Sequence, residues 1–139
     1  DVESRGLGDV YKRQPQEEKE KMPEQYEAVS LDDFVEYSKS MFEYWTEDDF
    51  ASSFRKMLTI EQFRSEEMQK LYQQYLVAGP ASYVKDLFES IGIVNAKDKA
   101  ARFYAVMHFY YSLYDGAADK EKVKVEFVSA IKSLVQDLA

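Results

Sequence analysis

The 139-residue chain has no cysteine, three prolines, five glycines and a single histidine. Without cysteine there is no disulfide framework, no thiolate zinc site and no cysteine nucleophile, and a reducing compartment is permitted. The few glycines are scattered, so no glycine-rich phosphate loop exists. The lone histidine, His108, has Ala105 three residues before it, and a histidine-based metal bundle needs Glu-x-x-His pairs on two helices. No serine stands in a nucleophile-elbow context. Basic residues are outnumbered, 18 Lys and Arg against 26 Asp and Glu, for a net charge of −8. That balance opposes binding of nucleic acid or of an anionic membrane surface by this chain alone. No apolar run approaches the length of a membrane span, and residues 1–20 are polar and charged, unlike a secretory signal. These exclusions predict a non-enzymatic cytoplasmic protein with no catalytic residues, no metal and no cofactor.

Aromatics, by contrast, are abundant: 11 Tyr, 9 Phe and one Trp, with 18 of these 21 between Phe34 and Tyr114. Residues 1–29 lack periodicity and are expected to be disordered or a remnant segment. From Ser30 the spacing becomes helical, and residues 30–139 are predicted to form an all-α domain of five helices. Ser30 with Asp33 has capping-box spacing, followed by a stripe of Leu31, Phe34, Val35, Ser38, Met41, Phe42 and Trp45. Thr46 with Asp49 is expected to open a second helix with Phe50, Ala51, Phe54, Met57 and Leu58 inward, ending at about Glu61 or Phe63. Ser65 caps a third, with Met68, Leu71, Tyr72, Tyr75 and Leu76 inward. Gly79-Pro80 must kink or break it, after which Tyr83, Val84, Leu87, Phe88 and Ile91 continue the stripe to Gly92. Asn95 with Asp98 is expected to cap the fourth helix, ending at Asp115-Gly116, and Asp119 the fifth. Acidic pairs such as Asp32/Asp33 and Asp48/Asp49 fall in first turns, where they complement the helix dipole.

The last two helices carry more apolar surface than one core requires. The fourth has one stripe of Tyr104, His108 and Tyr111 and another of Phe103, Met107, Tyr110 and Tyr114, with Ala101 and Ala105 permitting close approach. Helices apolar around most of their circumference are buried on more than one side. The pattern predicts a homodimer in which these two helices form a four-helix bundle with a second copy. Tyr110, Tyr114, Val123, Phe127, Ile131 and Leu134 are the candidate interface. The alternative is a monomeric bundle with the fourth helix at its centre.

The stretch Phe54–Phe88 (FRKMLTIEQFRSEEMQKLYQQYLVAGPASYVKDLF), with FYAVMHFYYSLYDG from Phe103 to Gly116, resembles the C-terminal regulatory domain of tetracycline-repressor (TetR) family transcription regulators. The shared features are the MLTIEQF turn leading into LYQQY, the GP within a helix, and the SLYDG close of the penultimate helix. The resemblance spans roughly residues 30–138. It implies a homodimerising domain that senses a small, mostly hydrophobic effector. It also implies operator DNA as a partner of a longer parent only, since residues 1–29 hold no helix-turn-helix with a basic recognition helix. By the same resemblance the effector site lies among the first four helices. Trp45, Phe54, Met57, Tyr72, Tyr75, Tyr83, Tyr104 and His108 are the ligand-binding candidates, although each residue singly also suits a core. The break at Gly79-Pro80 is expected to leave a gap lined by Tyr75, Tyr83, Tyr104 and His108, closed by Phe54 and Met57. A competing reading is an all-helical protein-interaction module with no transcriptional role.

Overall fold

The computed structural model describes residues 30–138, so the expectation for residues 1–29 lies outside the described residues. The described chain is all-helical: α1 (Leu31–Glu47), α2 (Asp49–Glu61), α3 (Glu66–Leu76), α4 (Ala78–Ser90), α5 (Ala96–Gly116) and α6 (Lys120–Gln136). The five expected helices are present, the third divided into α3 and α4. Among the described residues no helix is long and apolar enough to cross a membrane.

Local chemistry sets most boundaries. The Ser30 hydroxyl accepts from the Asp33 N–H at 3.2 Å while the Ser30 N–H donates to the Asp33 carboxylate at 3.4 Å, a reciprocal capping box. Ser65 and Asp119 cap α3 and α6 in the same sense, accepting from the N–H groups of Met68 and Lys122. Helix α4 ends in a Schellman motif: Gly92 turns left-handed at φ 82°, Ile93 N–H donates to Phe88 O, and Gly92 N–H donates to Glu89 O.

Two expected caps differ. Thr46 remains inside α1 and its hydroxyl donates to Phe42 O at 2.6 Å, so the cap of α2 is Asp48, whose carboxylate accepts from Ala51 N–H at 2.9 Å. Asn95 holds the cap position of α5 but in the left-handed region at φ 57°, with no side-chain cap bond. A capping side chain reaches its N–H from an extended backbone, and Asp98 instead pairs with Arg102 at 3.2 Å.

The break between α3 and α4 falls at Val77 (φ −136°, ψ −85°), not at Pro80 itself. Pro80 sits in the first turn of α4, where its missing N–H is harmless. Gly79 is needed for a steric reason: a Cβ there would overlap the carbonyl of Gln74. Gly79→Ala is therefore expected to cost about 2 kcal/mol by forcing the α3–α4 junction apart. Thermal denaturation followed by circular dichroism checks this, and an unchanged melting temperature would contradict it.

Helix α5 packs along α4 and α6, and α1 covers α2, α5 and α6. The core is largely rings. Phe34 meets Phe88 and Phe103 at centroid distances of 5.1 and 4.8 Å, and Phe42 stacks on Phe127 at 4.2 Å and on Tyr111 at 5.6 Å. Lys124 of α6 ties the outside of this packing to Glu43 and Glu47 of α1, at 2.7 and 3.0 Å.

Candidate functional site

Helical periodicity turns Trp45 on α1, Phe54 and Met57 on α2, Tyr72 on α3 and Tyr104 on α5 into one interior, where all five are buried. Tyr75 is half-buried, edge-on to Phe54 at 5.3 Å. Tyr83 is half-buried and stacks on Tyr37 of α1 at 6.0 Å. His108 stands at the solvent edge, its ring 6.0 Å from that of Tyr104, with Nε2 3.3 Å from the Tyr72 hydroxyl. The structure thus brings Phe54 to Tyr75, and Tyr72 and Tyr104 to His108, whereas Tyr83 lies on Tyr37 and Trp45 meets Tyr44 edge-on at 5.2 Å.

A charged residue at the centre of this cluster has no counterpart among the eight candidates. Arg55 of α2 is buried. Its Nε donates to Trp45 O at 3.0 Å, and Nη1 and Nη2 donate to the two carboxylate oxygens of Asp115 at 2.8 and 2.7 Å. The guanidinium lies 5.0 Å from the centroid of the Tyr111 ring. The sequence carried a signal for it. Ala51, Arg55 and Leu58 are spaced i, i+4, i+7, so an arginine stands within an apolar stripe. Its partner, 60 residues away, had no local signature.

Electrostatics in this interior follow from burial. The phenols of Tyr104 and Tyr111 titrate above their ordinary range, chiefly because burial disfavours the phenolate, with the Arg55 charge opposing the shift. Tyr37 is raised by burial and by Tyr83 beside it. These hydroxyls are neutral hydrogen-bonding groups across the physiological range. His108 is lowered from 6.5, first by partial burial and then by the Arg55 charge.

A histidine whose folded pKa is depressed resists protonation in the native state. Its contribution is fully present above about pH 6.5 and is lost as pH falls through the folded value. The melting temperature of the unmodified chain is expected to fall more steeply between about pH 6.5 and 5 than that of His108→Asn. Parallel pH profiles would contradict the partly buried setting of His108 against Tyr72 and Tyr104.

The dimer candidates divide in two. Phe127 and Ile131 are 0% exposed within one chain, and Val123 and Tyr114 are buried, so these four face this chain's own core. The physical reason is α1, whose Phe42 covers Phe127 and meets Tyr114 edge-on at 5.8 Å. Tyr110 is half-buried and edge-on to Phe127 of α6, and Leu134 is half-buried against the core. The outward face instead presents Phe109 (57% exposed) and Leu113 (40%). Beside them a groove of about 430 Å³ runs between the helices, lined by Ser112, Leu113, Gly116, Ala117, Val123 and the charged Asp119, Lys122 and Glu126. Phe109, Ser112, Leu113 and Gly116 are spaced i, i+3, i+4, i+7 and share one face of α5.

Among the described residues no group of histidine and carboxylate side chains could hold a metal ion. No family model matches the chain, and no curated protein or solved structure matches it either.

Proposed function

We propose that this chain is the effector-sensing and homodimerising domain of a TetR-type transcription regulator. The single observation that carries the reading is the outward face of α5, which bears an exposed phenylalanine one turn before a groove on the same helix. Phe109 is a knob and Ser112, Gly116 and Ala117 are the small residues around a hole. A two-fold axis crossing α5 near Ser112 would set two copies antiparallel and deliver each Phe109 to the other copy's groove. Such an interface is isologous, the same patch serving both copies. It uses the last two helices, as the resemblance implies, but their solvent face and not the residues that α1 covers.

The tyrosine-lined interior supports the sensing half of the reading. Small-molecule sites are mostly apolar with a few placed polar groups, and here Tyr72 and His108 supply such groups at the rim. A mostly hydrophobic effector entering there would shift the population between two dimer geometries. In this reading operator DNA falls to a helix-turn-helix head outside this domain, and the protein is cytoplasmic.

Phe109→Glu tests the dimer directly, because the position is exposed and the fold does not depend on it. Sedimentation velocity is expected to find the unmodified chain dimeric at tens of micromolar and Phe109→Glu monomeric, with unchanged melting of the isolated fold. A monomeric unmodified chain would overturn the reading. It would favour an interaction module, to which the exposed Ile60 and Phe63 near the α2–α3 turn then become relevant.

A further inference from the structure

We infer that Arg55 is a positioning residue that couples the tyrosine interior to the α5–α6 groove, an inference that rests on the dimer reading above. The guanidinium has four attachments on two neighbouring helices, α1 and α5. It holds the last turn of α1 through Trp45 O, it lies against the ring of Tyr111, and it grips both oxygens of Asp115 in the final turn of α5. Asp115 is followed at once by Gly116 and Ala117, which form the groove wall.

The same stretch of backbone is held from the other side by Lys120 of α6. Its ammonium donates to Tyr114 O at 2.7 Å, to Ala117 O at 3.3 Å and to Asp115 O at 3.4 Å, and it sits 4.9 Å from the centroid of the Tyr114 ring. The end of α5 is therefore fixed between two cations, the buried Arg55 of α2 and the exposed Lys120 of α6. Of the two, Arg55 is the one that lies against Tyr111, whereas Lys120 rests on Tyr114.

Geometry gives the coupling its direction. An arginine fork matched to a carboxylate tolerates little rotation. A molecule that displaces Tyr111 removes the surface on which the fork rests. Arg55 must then shift, and Asp115 with it, since a buried guanidinium cannot abandon its partner cheaply. Gly116 and Ala117 follow, and the hole that receives the second copy changes shape. Effector occupancy thereby becomes dimer geometry through one side chain.

The test uses two substitutions that keep both charges but spoil the fork: Arg55→Lys and Asp115→Glu. Each is compared with Leu87→Ala, a core change on α4 remote from the groove, with circular dichroism melting measured for all. Under conditions where every variant is folded, sedimentation equilibrium is expected to show the dimer dissociation constant of both fork variants raised about tenfold. Leu87→Ala should lower the melting temperature at least as much and leave the dissociation constant unchanged. A dimeric unmodified chain whose dissociation constant is unaffected by the fork variants overturns the inference alone. An equal rise in Leu87→Ala also overturns it, since the effect then follows stability. A monomeric unmodified chain overturns the dimer reading and this inference together.

Discussion

Phe127→Ala is expected to destabilise the folded monomer by about 4 kcal/mol, and not to yield a stable monomer from a dimer. The ring is fully buried, stacked on Phe42 at 4.2 Å and edge-on to Tyr110 at 5.8 Å. Truncation removes a large apolar surface and leaves a cavity between α1, α5 and α6, which cannot collapse while Lys124 ties α6 to the two glutamates of α1. For a domain of this size the melting temperature should drop by roughly 15 °C or more. Chemical denaturation monitored by helical signal measures the loss. A variant that keeps full stability and merely dissociates would show that Phe127 belongs to an interface and that α1 does not cover it.

The second large effect is expected from Asp115→Ala, at about 3 kcal/mol. The carboxylate is 29% exposed, so its own desolvation is partial, but Arg55 is 6% exposed and would be left as a buried cation whose guanidinium keeps the Trp45 O hydrogen bond and the Tyr111 ring but loses its carboxylate. Removing one member of a buried pair costs more than the pair is worth, because the survivor keeps its desolvation penalty. The double variant Arg55→Met/Asp115→Ala should therefore recover at least half of the loss, since methionine fills the space over Tyr111 without a charge. Denaturation midpoints of the two single variants and the double variant complete the cycle. Additive losses would mean that the two side chains do not act as a pair.

The helices were legible because their information is local. Capping serines at Ser30 and Ser65, Asp119, and the Gly92 stop each act within one turn, and the i, i+3, i+4 spacing of apolar residues reports burial directly. The misplaced cap at Thr46 shows the limit of locality. Thr46 and Asp48 can both cap a helix, and the outcome depends on where α1 stops unwinding, which Trp45 and Arg55 help to decide through their packing. The outward face of α5 was half legible for a related reason. Periodicity shows that α5 and α6 are apolar on more than one side, but it cannot say which side another helix of the same chain covers. Phe42 of α1, 85 residues from Phe127 in sequence, makes that choice. The ring cluster was foreseen as residues and not as an arrangement. Tyr83 lies on Tyr37, which stands outside the apolar stripe read for the first helix, and Arg55 escaped notice because its partner lies on a distant helix.

The absence of cysteine provides the most direct test of the central claim, that two copies meet through the outward face of α5 with the two-fold axis near Ser112. Ser112→Cys introduces the chain's only thiol, and Ser82→Cys, on the exposed side of α4, serves as its control. A disulfide requires Cα atoms within about 7 Å, which an axis at Ser112 provides and a random encounter does not sustain. Under mild oxidation at micromolar concentration, the expected result is rapid and nearly complete covalent dimer for Ser112→Cys, with little for Ser82→Cys. Equal slow cross-linking of both variants would contradict the claim.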